Sequence, residues 1–431
     1  MKSFQKGSKK VLNAWAFYDW ANSVYSLTII SAVFPLFIGA YLKSLSIEKL
    51  DVFGGVISHT ALMTYTTAFG FLVVAVISPI LSGIADYKGN KKFFLRFFCY
   101  LGSVSCVGLF FFSVDYIYIS LLFYVLALIG FWGSLVFYNS YLPDIAFKEQ
   151  QDAISAKGYA MGYVGSVVLL LINLAMIMLS PEENALLMMR YSFVLVGVWW
   201  FGFSHYTYQY LPNLKNSNKV TKHVFLNGFK ELKSVWKELQ TQLQLKVYLA
   251  AFFVYSMAVQ TVMLVASFFG ENEIAWEENG IDKTLGLIIS ILIIQIIAVF
   301  GAFLTSYVSK KLGNITTLII INMIWVGICV FAYFVITPND FFITAGVVGI
   351  VMGGIQSLSR STYAKFLPDT KDTTSYFSFY DVAEKIGIVI GMGIFASVEV
   401  ITGSMRNAIL FLVAFFVIGL VILFRVPKKI K

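Results

Sequence analysis

Twelve long apolar stretches, separated by short polar segments, limit what this chain of 431 residues can fold into. A helix of about 20 apolar residues crosses the hydrocarbon core of a bilayer. Charged residues make up only 13% of the chain, whereas soluble domains carry about 25%. We therefore predict an all-α membrane protein with twelve transmembrane helices, which we number as spans. The predicted spans lie near residues 15–42, 57–83, 93–113, 117–142, 156–179, 189–211, 247–270, 284–308, 315–336, 341–361, 376–400 and 405–425.

The distribution of Lys and Arg predicts the orientation in the membrane. The basic N-terminus is followed by an apolar run that is too long for a cleaved signal peptide, so we interpret this run as the first span. With the N-terminus in the cytoplasm, all but five of the 32 Lys and Arg residues lie on the cytoplasmic side, as the positive-inside rule requires. The five exceptions are Lys43, Lys49, Arg190, Lys283 and Arg406. We expect a multi-pass protein of the inner (cytoplasmic) membrane with both termini in the cytoplasm, so the net charge of +9 does not indicate a nucleic-acid partner.

A long polar segment and a weak internal repeat indicate two halves. Residues 212–246 separate spans six and seven and place apolar residues at helical spacing, which predicts an amphipathic helix on the anionic inner leaflet. A Leu-Pro-Asp sequence occurs at 142–144 and 367–369, and a Gly-Asn sequence at 89–90 and 313–314. Same-sense repeats of six spans are a property of the major facilitator fold. We predict a six-helix bundle over residues 1–212, a linker over 213–245 and a second six-helix bundle over 246–431.

The loop after span two resembles the signature loop of the major facilitator superfamily. It has a glycine, an aspartate three residues later, then a basic residue and a second glycine; these are Gly83, Asp86, Lys88 and Gly89. Asp86 can accept hydrogen bonds from the N-terminus of a facing helix, which carries partial positive charge. In the superfamily this contact stabilises one of the two access states. We predict a gating role, and the alternative is an ordinary basic turn. The corresponding loop of the second half, 301–314, has no aspartate.

Span one carries an acidic residue in an apolar setting. Asp19, Asn22 and Ser23 stand at i, i+3 and i+4, so they share one helix face. An aspartate inside a span costs about 2.5–3.5 kcal/mol on insertion scales and needs a partner or a water-filled cavity. We predict a substrate or proton-coupling site here. The alternative is a structural ion pair or a residue close to the membrane interface.

Span eleven begins with a charged cluster. Asp381 and Lys385 can pair at i, i+4, and Glu384 lies beside them. Arg360, at the end of span ten, has no acidic residue near it in sequence. We expect it to pair with Asp381 or Glu384 across the bundle and to act in gating. The alternative is a static salt bridge at a helix end.

Uncharged polar residues on other spans are further candidates for substrate contacts. They are Tyr159, Tyr163, Asn173, Gln260 and Gln356. Such side chains often only bond neighbouring helices, at about 0.6 kcal/mol each. For any one of them, helix packing is therefore the simpler interpretation.

Five segments resemble one branch of the superfamily, the vacuole-effluxer-like family, also called the unknown major facilitator family. They are YDWANS at 18–23, LPD at 142–144, AKGY at 156–159, QSLSRS at 356–361 and FYDVAEK at 379–385. Fungal relatives are implicated in exporting amino acids from the vacuole, so the resemblance implies a transporter for small organic solutes, with amino acids as one candidate class. Span seven departs from the family pattern, because 255–261 lacks the acidic residue and the glycine expected before Gln-Thr. A coupling role for that acid does not carry over.

The sequence predicts a secondary active transporter that moves a small organic solute by alternating access. Protons are the expected coupling ion, because Asp19, Asp381 and Glu384 are titratable. The three Cys and three His are scattered and there is no nucleotide-binding loop, so we expect no metal, no cofactor and no enzyme activity. The expected partners are the solute, protons and membrane lipids, and the chain is expected to act as a monomer. The alternative is a non-transporting sensor or scaffold that keeps the same fold.

Overall fold

The computed structural model of the protein describes residues 5–52, 54–213 and 224–427, without the side chains of 224–228. Within these residues, twelve helices are long and apolar enough to cross a membrane, which confirms the predicted number. Most extend beyond the apolar stretches; span five, for example, begins at residue 148 rather than 156. The spans are Lys9–Ser44, His59–Lys88, Lys91–Phe111, Ile117–Ile145, Lys148–Met178, Glu182–Tyr210, Leu243–Glu273, Lys283–Leu312, Asn314–Ala332, Pro338–Phe366, Thr373–Thr402 and Met405–Phe424.

A few elements fall outside or interrupt these helices. Span one is α-helical over Lys9–Tyr25, a π-helix over Ser26–Ala32 and α-helical again over Val33–Ser44. The loop after it forms a small antiparallel hairpin, β1 (Leu50–Val52) with β2 (Gly55–Ile57). A 3-10 turn, Glu277–Asn279, lies between spans seven and eight, and α-helix Val224–Thr241 lies between spans six and seven. We call Val224–Thr241 the linker helix.

Local chemistry accounts for several helix ends. Spans two, eight, ten and twelve begin after a residue whose side chain accepts a backbone N–H of the first turn; these are Ser58, Asp282, Thr337 and Ser404. Such caps satisfy one of the four free N–H groups at a helix start. Span two ends at Gly89, whose φ of 65° is left-handed and suits a residue without Cβ. The second glycine of the signature loop therefore forms a tight turn at the end of span two.

Large side chains divide between an aromatic interior and a lipid-facing exterior. In the first six spans, Trp15 stacks on Tyr138 with ring centroids 4.5 Å apart, and Tyr25 lies 4.9 Å from Phe131. Apolar residues such as Phe300 project from the outside of the bundle. Lipid is the environment in which such an exterior is stable.

Spans one to six form the first half of the molecule and spans seven to twelve the second half. Span two packs against span eleven, and span five packs against spans eight and ten. Twelve crossings bring the start of span one and the end of span twelve to the same face, which we call the terminal face. The domain boundaries given above stay predictions.

The linker helix also lies at the terminal face, where it contacts both halves. It packs against span two and also meets spans seven and eleven. Val235 and Leu239 of the helix are buried, whereas Phe229 and Trp236 are exposed. The predicted amphipathic helix is thus present, with one side against protein. Its contact with the inner leaflet stays a prediction.

Candidate functional site

A buried ion pair joins the two halves. Asp19 of span one and Arg360 of span ten are 4% and 2% exposed, and Arg360 Nη2 lies 3.3 Å from Asp19 Oδ2. Tyr138 donates its hydroxyl proton to the same carboxylate oxygen at 2.9 Å. Arg360 also donates to Asn139 Oδ1 at 3.1 Å and to Ser155 Oγ at 2.9 Å. The pair is therefore neutral as a unit, buried, and hydrogen-bonded to three further residues of the first half.

Aromatic rings and a glycine shape the space around this pair. Arg360 Cζ lies 4.8 Å from the ring centroid of Trp15 and 4.2 Å from that of Tyr159. These distances allow cation–π attraction. A Cβ at Gly158 would lie 2.5 Å from Asp19 Oδ2 and 3.0 Å from Arg360 Nη2. A larger residue at 158 would therefore push span five away from the pair.

A second charged cluster lies within the second half, on span eleven. Lys385 Nζ is 2.7 Å from Asp381 Oδ1 and 2.6 Å from Glu384 Oε2, which confirms the predicted Asp381–Lys385 pair. Gln260 of span seven donates to Glu384 Oε1 at 2.7 Å. The Lys385 ammonium also lies 3.7 Å from the ring centroid of Trp132, in the first half. We call Asp381, Glu384 and Lys385 the span-eleven triad. With two carboxylates and one ammonium, it carries a surplus negative charge unless one carboxylate is protonated.

Asp86 connects the end of span two to the start of span eleven. Its carboxylate accepts the backbone N–H of Thr374 at 3.3 Å and that of Ser375 at 2.6 Å. These groups belong to the first turn of span eleven, where the helix dipole favours negative charge. We call this contact the first latch. The sequence-based expectation that Asp86 faces a helix N-terminus is confirmed.

The gating residues predicted in the loop after span two lie near the first latch. Gly83 is buried in span two, Lys88 is in the last turn of that span and Gly89 ends it. Lys91, which begins span three, donates to Thr373 Oγ1 at 3.0 Å. The loop after span two therefore contacts the second half at more than one point.

An equivalent contact, centred on Asp152 of span five, closes the other side of the interface. Asp152 is 4% exposed and accepts from Ser309 Oγ at 3.2 Å, Asn314 Nδ2 at 2.9 Å and Lys365 Nζ at 2.5 Å. All three donors belong to the second half. We call this contact the second latch. Sequence analysis did not single out Asp152, although the missing aspartate in the loop 301–314 was a signal that another residue supplies the charge.

The remaining predicted residues fall into two groups. Tyr163 donates to Gln356 Oε1 at 2.7 Å across the two halves. Ser23 donates to Asn22 Oδ1 at 3.3 Å beside Asp19. Asn173 is fully buried but lies about three turns further along span five than Tyr163. Asn22 and Ser23 therefore lie within about one helical turn of Asp19, Tyr163 and Gln356 bond across the halves, and Asn173 lies further along span five.

One expected pairing was wrong. Arg360 does not pair with Asp381 or Glu384; it pairs with Asp19. The reason is that Lys385, on the same helix as the two acids, is bonded to both of them. Arg360 is then available to the carboxylate of the first half.

Comparison with known proteins identifies the family of this chain. A family model described as "Vacuole effluxer Atg22 like" matches residues 7–430. The chain belongs to this family. The "Uncharacterized MFS-type transporter YxiO" of Bacillus subtilis (strain 168) is 33% identical over 438 residues, covering 100% of this chain and 96% of the relative. The "Autophagy-related protein 22-2" of Aspergillus oryzae is 25% identical, covering 86% of this chain and 74% of that protein.

Solved structures with the same fold are transporters of the major facilitator superfamily. A structure of the Escherichia coli fucose:proton symporter FucP has a TM-score of 0.68 at 14% identity, covering 97% of this chain and 98% of that one. The human organic anion transporter MFSD10 has a TM-score of 0.70 at 11% identity, covering 97% and 100%. At such identities the likeness shows the fold. The protein is thus a multi-pass membrane protein with the major facilitator fold, in a family of transporters.

The segments that resemble the Atg22-like family meet at the interface between the halves. The segment 18–23 contains Asp19, and 356–361 contains Arg360, its ion-pair partner. The Leu-Pro-Asp sequence at 142–144 ends in Asp144, which pairs with Lys91 beside the first latch. The segment 379–385 contains the span-eleven triad. Four separate family segments therefore contribute to two ionic clusters and to one ion pair beside the first latch.

Proposed function

We propose that this protein is a secondary active transporter of the cell membrane that moves a small organic solute by alternating access, coupled to protons. In this proposal the terminal face is cytoplasmic, both chain ends lie inside the cell and a single chain is the transport unit. The observation that supports it best is the presence of two separate buried ionic clusters with different charge balance. One joins the halves, and the other lies within the second half.

The Asp19–Arg360 pair suits a role in switching between access states. Both partners are buried, they come from different halves and they lie 3.3 Å apart. Leaving one buried charge of such a pair without a partner costs about 3–5 kcal/mol. Opening the terminal face therefore requires another group to compensate these charges. A solute or a proton arriving at the pair would lower that cost, which couples binding to the conformational change.

The span-eleven triad suits proton coupling better than the Asp19–Arg360 pair does. Lys385 can balance only one of the two carboxylates that contact it. A second carboxylate in this largely buried cluster is costly unless it takes up a proton. The triad therefore has a reason to bind and release one proton as its surroundings change. The balanced pair has no such surplus acid.

The side chains around the pair suit a small polar solute. We propose Asn22, Ser23, Tyr159, Tyr163 and Gln356 as solute contacts. Each supplies a hydrogen-bonding group near the interface, and Tyr163 already bonds Gln356 across it. Amino acids are the first class to test because the resemblance to fungal exporters implies them. Asn173 is left out, since it lies well away from the pair.

The test is flux into proteoliposomes under an imposed pH gradient, with amino acids as the first solutes. Glu384→Gln should abolish gradient-driven accumulation while solute exchange at equal pH continues. Asp19→Asn should slow both accumulation and exchange, because it acts on the conformational switch. Glu277→Gln, in an exposed loop at the opposite face, is the matched control and should behave as the unchanged protein.

Gradient-driven accumulation by Glu384→Gln at the normal rate would refute proton coupling through the triad. If no solute is transported but one of them raises the melting temperature of the purified protein, the sensor interpretation replaces the transporter. Reporter fusions that place the linker helix outside the cell would refute the proposed orientation.

A further inference from the structure

An open groove of about 310 Å³ lies on the outside of the first half, between spans one, five and six near the terminal face. It is lined by Asn13, Phe17, Lys157, Met161 and Tyr206. Residues two apart on a helix point about 200° apart, so Phe17 faces away from Asp19. The groove therefore opens toward lipid and is separate from the interface between the halves.

A lysine in this groove has no acidic partner among the described residues. Lys157 lies in the third turn of span five, and its Nζ donates to Asn13 Oδ1 at 2.7 Å. None of the ion pairs of the described chain includes it. An ammonium has three N–H donors, and a cation within the membrane is stable when it pairs with an anion or reaches the interface. Lys157 therefore offers donors to an anionic ligand.

Aromatic rings extend the groove from Lys157 toward the terminal face. Phe17 contacts Tyr206 with centroids 5.1 Å apart, and Tyr206 contacts Tyr210 at the same separation. Lys10, at the end of this series, lies 4.3 Å from the Tyr210 ring centroid. Aromatic residues near the end of a span are typical of the lipid headgroup region. The groove thus combines an apolar wall with the Lys157 ammonium, and the Lys10 ammonium lies beyond it at the end of the aromatic series.

We propose that this groove binds an anionic phospholipid from the leaflet on the terminal face. The lipid phosphate lies between Lys157 and Lys10, and an acyl chain packs along Phe17 and Met161. Basic pockets between transmembrane helices on the inner side are known to bind anionic headgroups. Lys157 directly precedes Gly158, which adjoins the Asp19–Arg360 pair, so the lipid stabilises span five where the halves meet. The site lies outside the proposed transport path and does not depend on the transported solute.

The experiment measures lipid binding to the purified full-length protein in neutral detergent. Phosphatidylglycerol, phosphatidylcholine with the same acyl chains, and inorganic phosphate are titrated separately. The readouts are the melting temperature and the number of lipids retained in native mass spectrometry. Phosphatidylglycerol should raise the melting temperature, whereas the other two should not. Lys157→Gln should weaken phosphatidylglycerol binding about fivefold, and Lys157→Arg should restore it.

Lys311→Gln is the matched control. Lys311 is an exposed lysine beside a tyrosine, 4.6 Å from the Tyr307 ring centroid, at the same face but outside the groove. The Lys311→Gln variant should leave phosphatidylglycerol binding unchanged. Should Lys157→Gln not fold, Lys10→Gln, at the exposed end of the aromatic series beside the groove, provides the same comparison. Equal stabilisation by phosphatidylcholine, an equal effect of phosphate alone, or full binding by the Lys157 and Lys10 variants would each overturn the proposal.

Discussion

The two latches close the same face of the molecule, and each joins one helix of the first half to the second half. They differ in which helix position of the predicted repeat carries the carboxylate. In the first latch the acid is Asp86, at the end of span two, and its donors are backbone N–H groups at the start of span eleven. In the second latch the acid is Asp152, near the start of span five, and its donors are side chains of spans eight, nine and ten. In the predicted repeat, span two corresponds to span eight and span five to span eleven. Both contacts therefore contain a carboxylate. It lies on span two in the first latch, but on span five, the counterpart of span eleven, in the second.

This difference determines how each latch can be broken. The first latch includes two main-chain donors, which substitution cannot remove, so a change at Asp86 is the direct way to weaken this contact. The second latch includes a lysine, so a substitution can remove or reverse one of its charges.

Opening of the terminal face can be followed at Ser140, which is buried and lies 3.4 Å from Thr374 of the other half. Its replacement by cysteine, with the three native cysteines replaced by serine, gives a thiol that an aqueous maleimide reaches only when the halves separate.

Reversing the charge of Lys365 should have the largest effect. Lys365→Glu places a second carboxylate against Asp152 and removes the ion pair. Breaking a buried pair costs about 3–5 kcal/mol. The Lys365 side chain is 22% exposed, so we expect about 2 kcal/mol, or roughly a thirtyfold increase in labelling of the Ser140→Cys thiol. Lys371→Glu, in the exposed loop after span ten, is the control for a charge change at the same face. Labelling that rises equally in both variants would show that the second latch does not close this face.

Removing the acid of the first latch should have a smaller effect. Asp86→Ala deletes an acceptor for two backbone N–H groups and a charge at a helix N-terminus, which together contribute about 1 kcal/mol, or roughly a fivefold change in labelling. Asp86→Asn should fall between the alanine variant and the unchanged protein, because its amide oxygen still accepts one hydrogen bond. If asparagine and alanine were equally disruptive, the negative charge rather than the acceptor would be the essential feature.

The equivalence of the latches can be tested by moving the carboxylate of the second latch from span five to span eight. Span eight is the counterpart of span two, which carries the carboxylate in the first latch. Asp152→Ser and Ser309→Asp should each increase labelling alone, the first by removing the acid and the second by placing two acids together. The double variant restores one carboxylate beside Lys365 and should return labelling to within about threefold of the unchanged protein. Additive effects in the double variant would contradict the equivalence.

The contacts that sequence analysis predicted are those that need little knowledge of the tertiary structure. Asp381 and Lys385 pair because they are one helical turn apart, and Asp86 faces backbone groups that any helix start provides. The Asp19–Arg360 pair joins residues 341 positions apart in the chain, so no local pattern specifies it. Asp152 was missed for a similar reason, since its donors come from three different spans. The twelve spans were predictable because lipid imposes the same apolar requirement on every crossing.

We expect the linker helix to make the first latch dependent on pH. It packs against span two and contacts span eleven, the two helices that Asp86 joins. Burial, and then the negative charge of nearby Asp372, raise the pKa of Glu231 above its ordinary value. The docked helix therefore binds a proton more readily than a released one. Its docking is fully favoured below the ordinary glutamate pKa and weakens as the pH rises through the raised value.

This last effect should be the smallest, about twofold, because Glu231 is partly exposed to water. It can be measured as the labelling rate of a Val235→Cys thiol, normalised at each pH to the rate for the unfolded chain. Labelling should increase from mildly acidic to neutral pH, and Glu231→Gln should remove the increase by removing the titrating group. Glu277→Gln, at the opposite face, should leave it unchanged. A pH dependence that survives in Glu231→Gln would assign the effect to another group and would contradict a role of the linker helix in it.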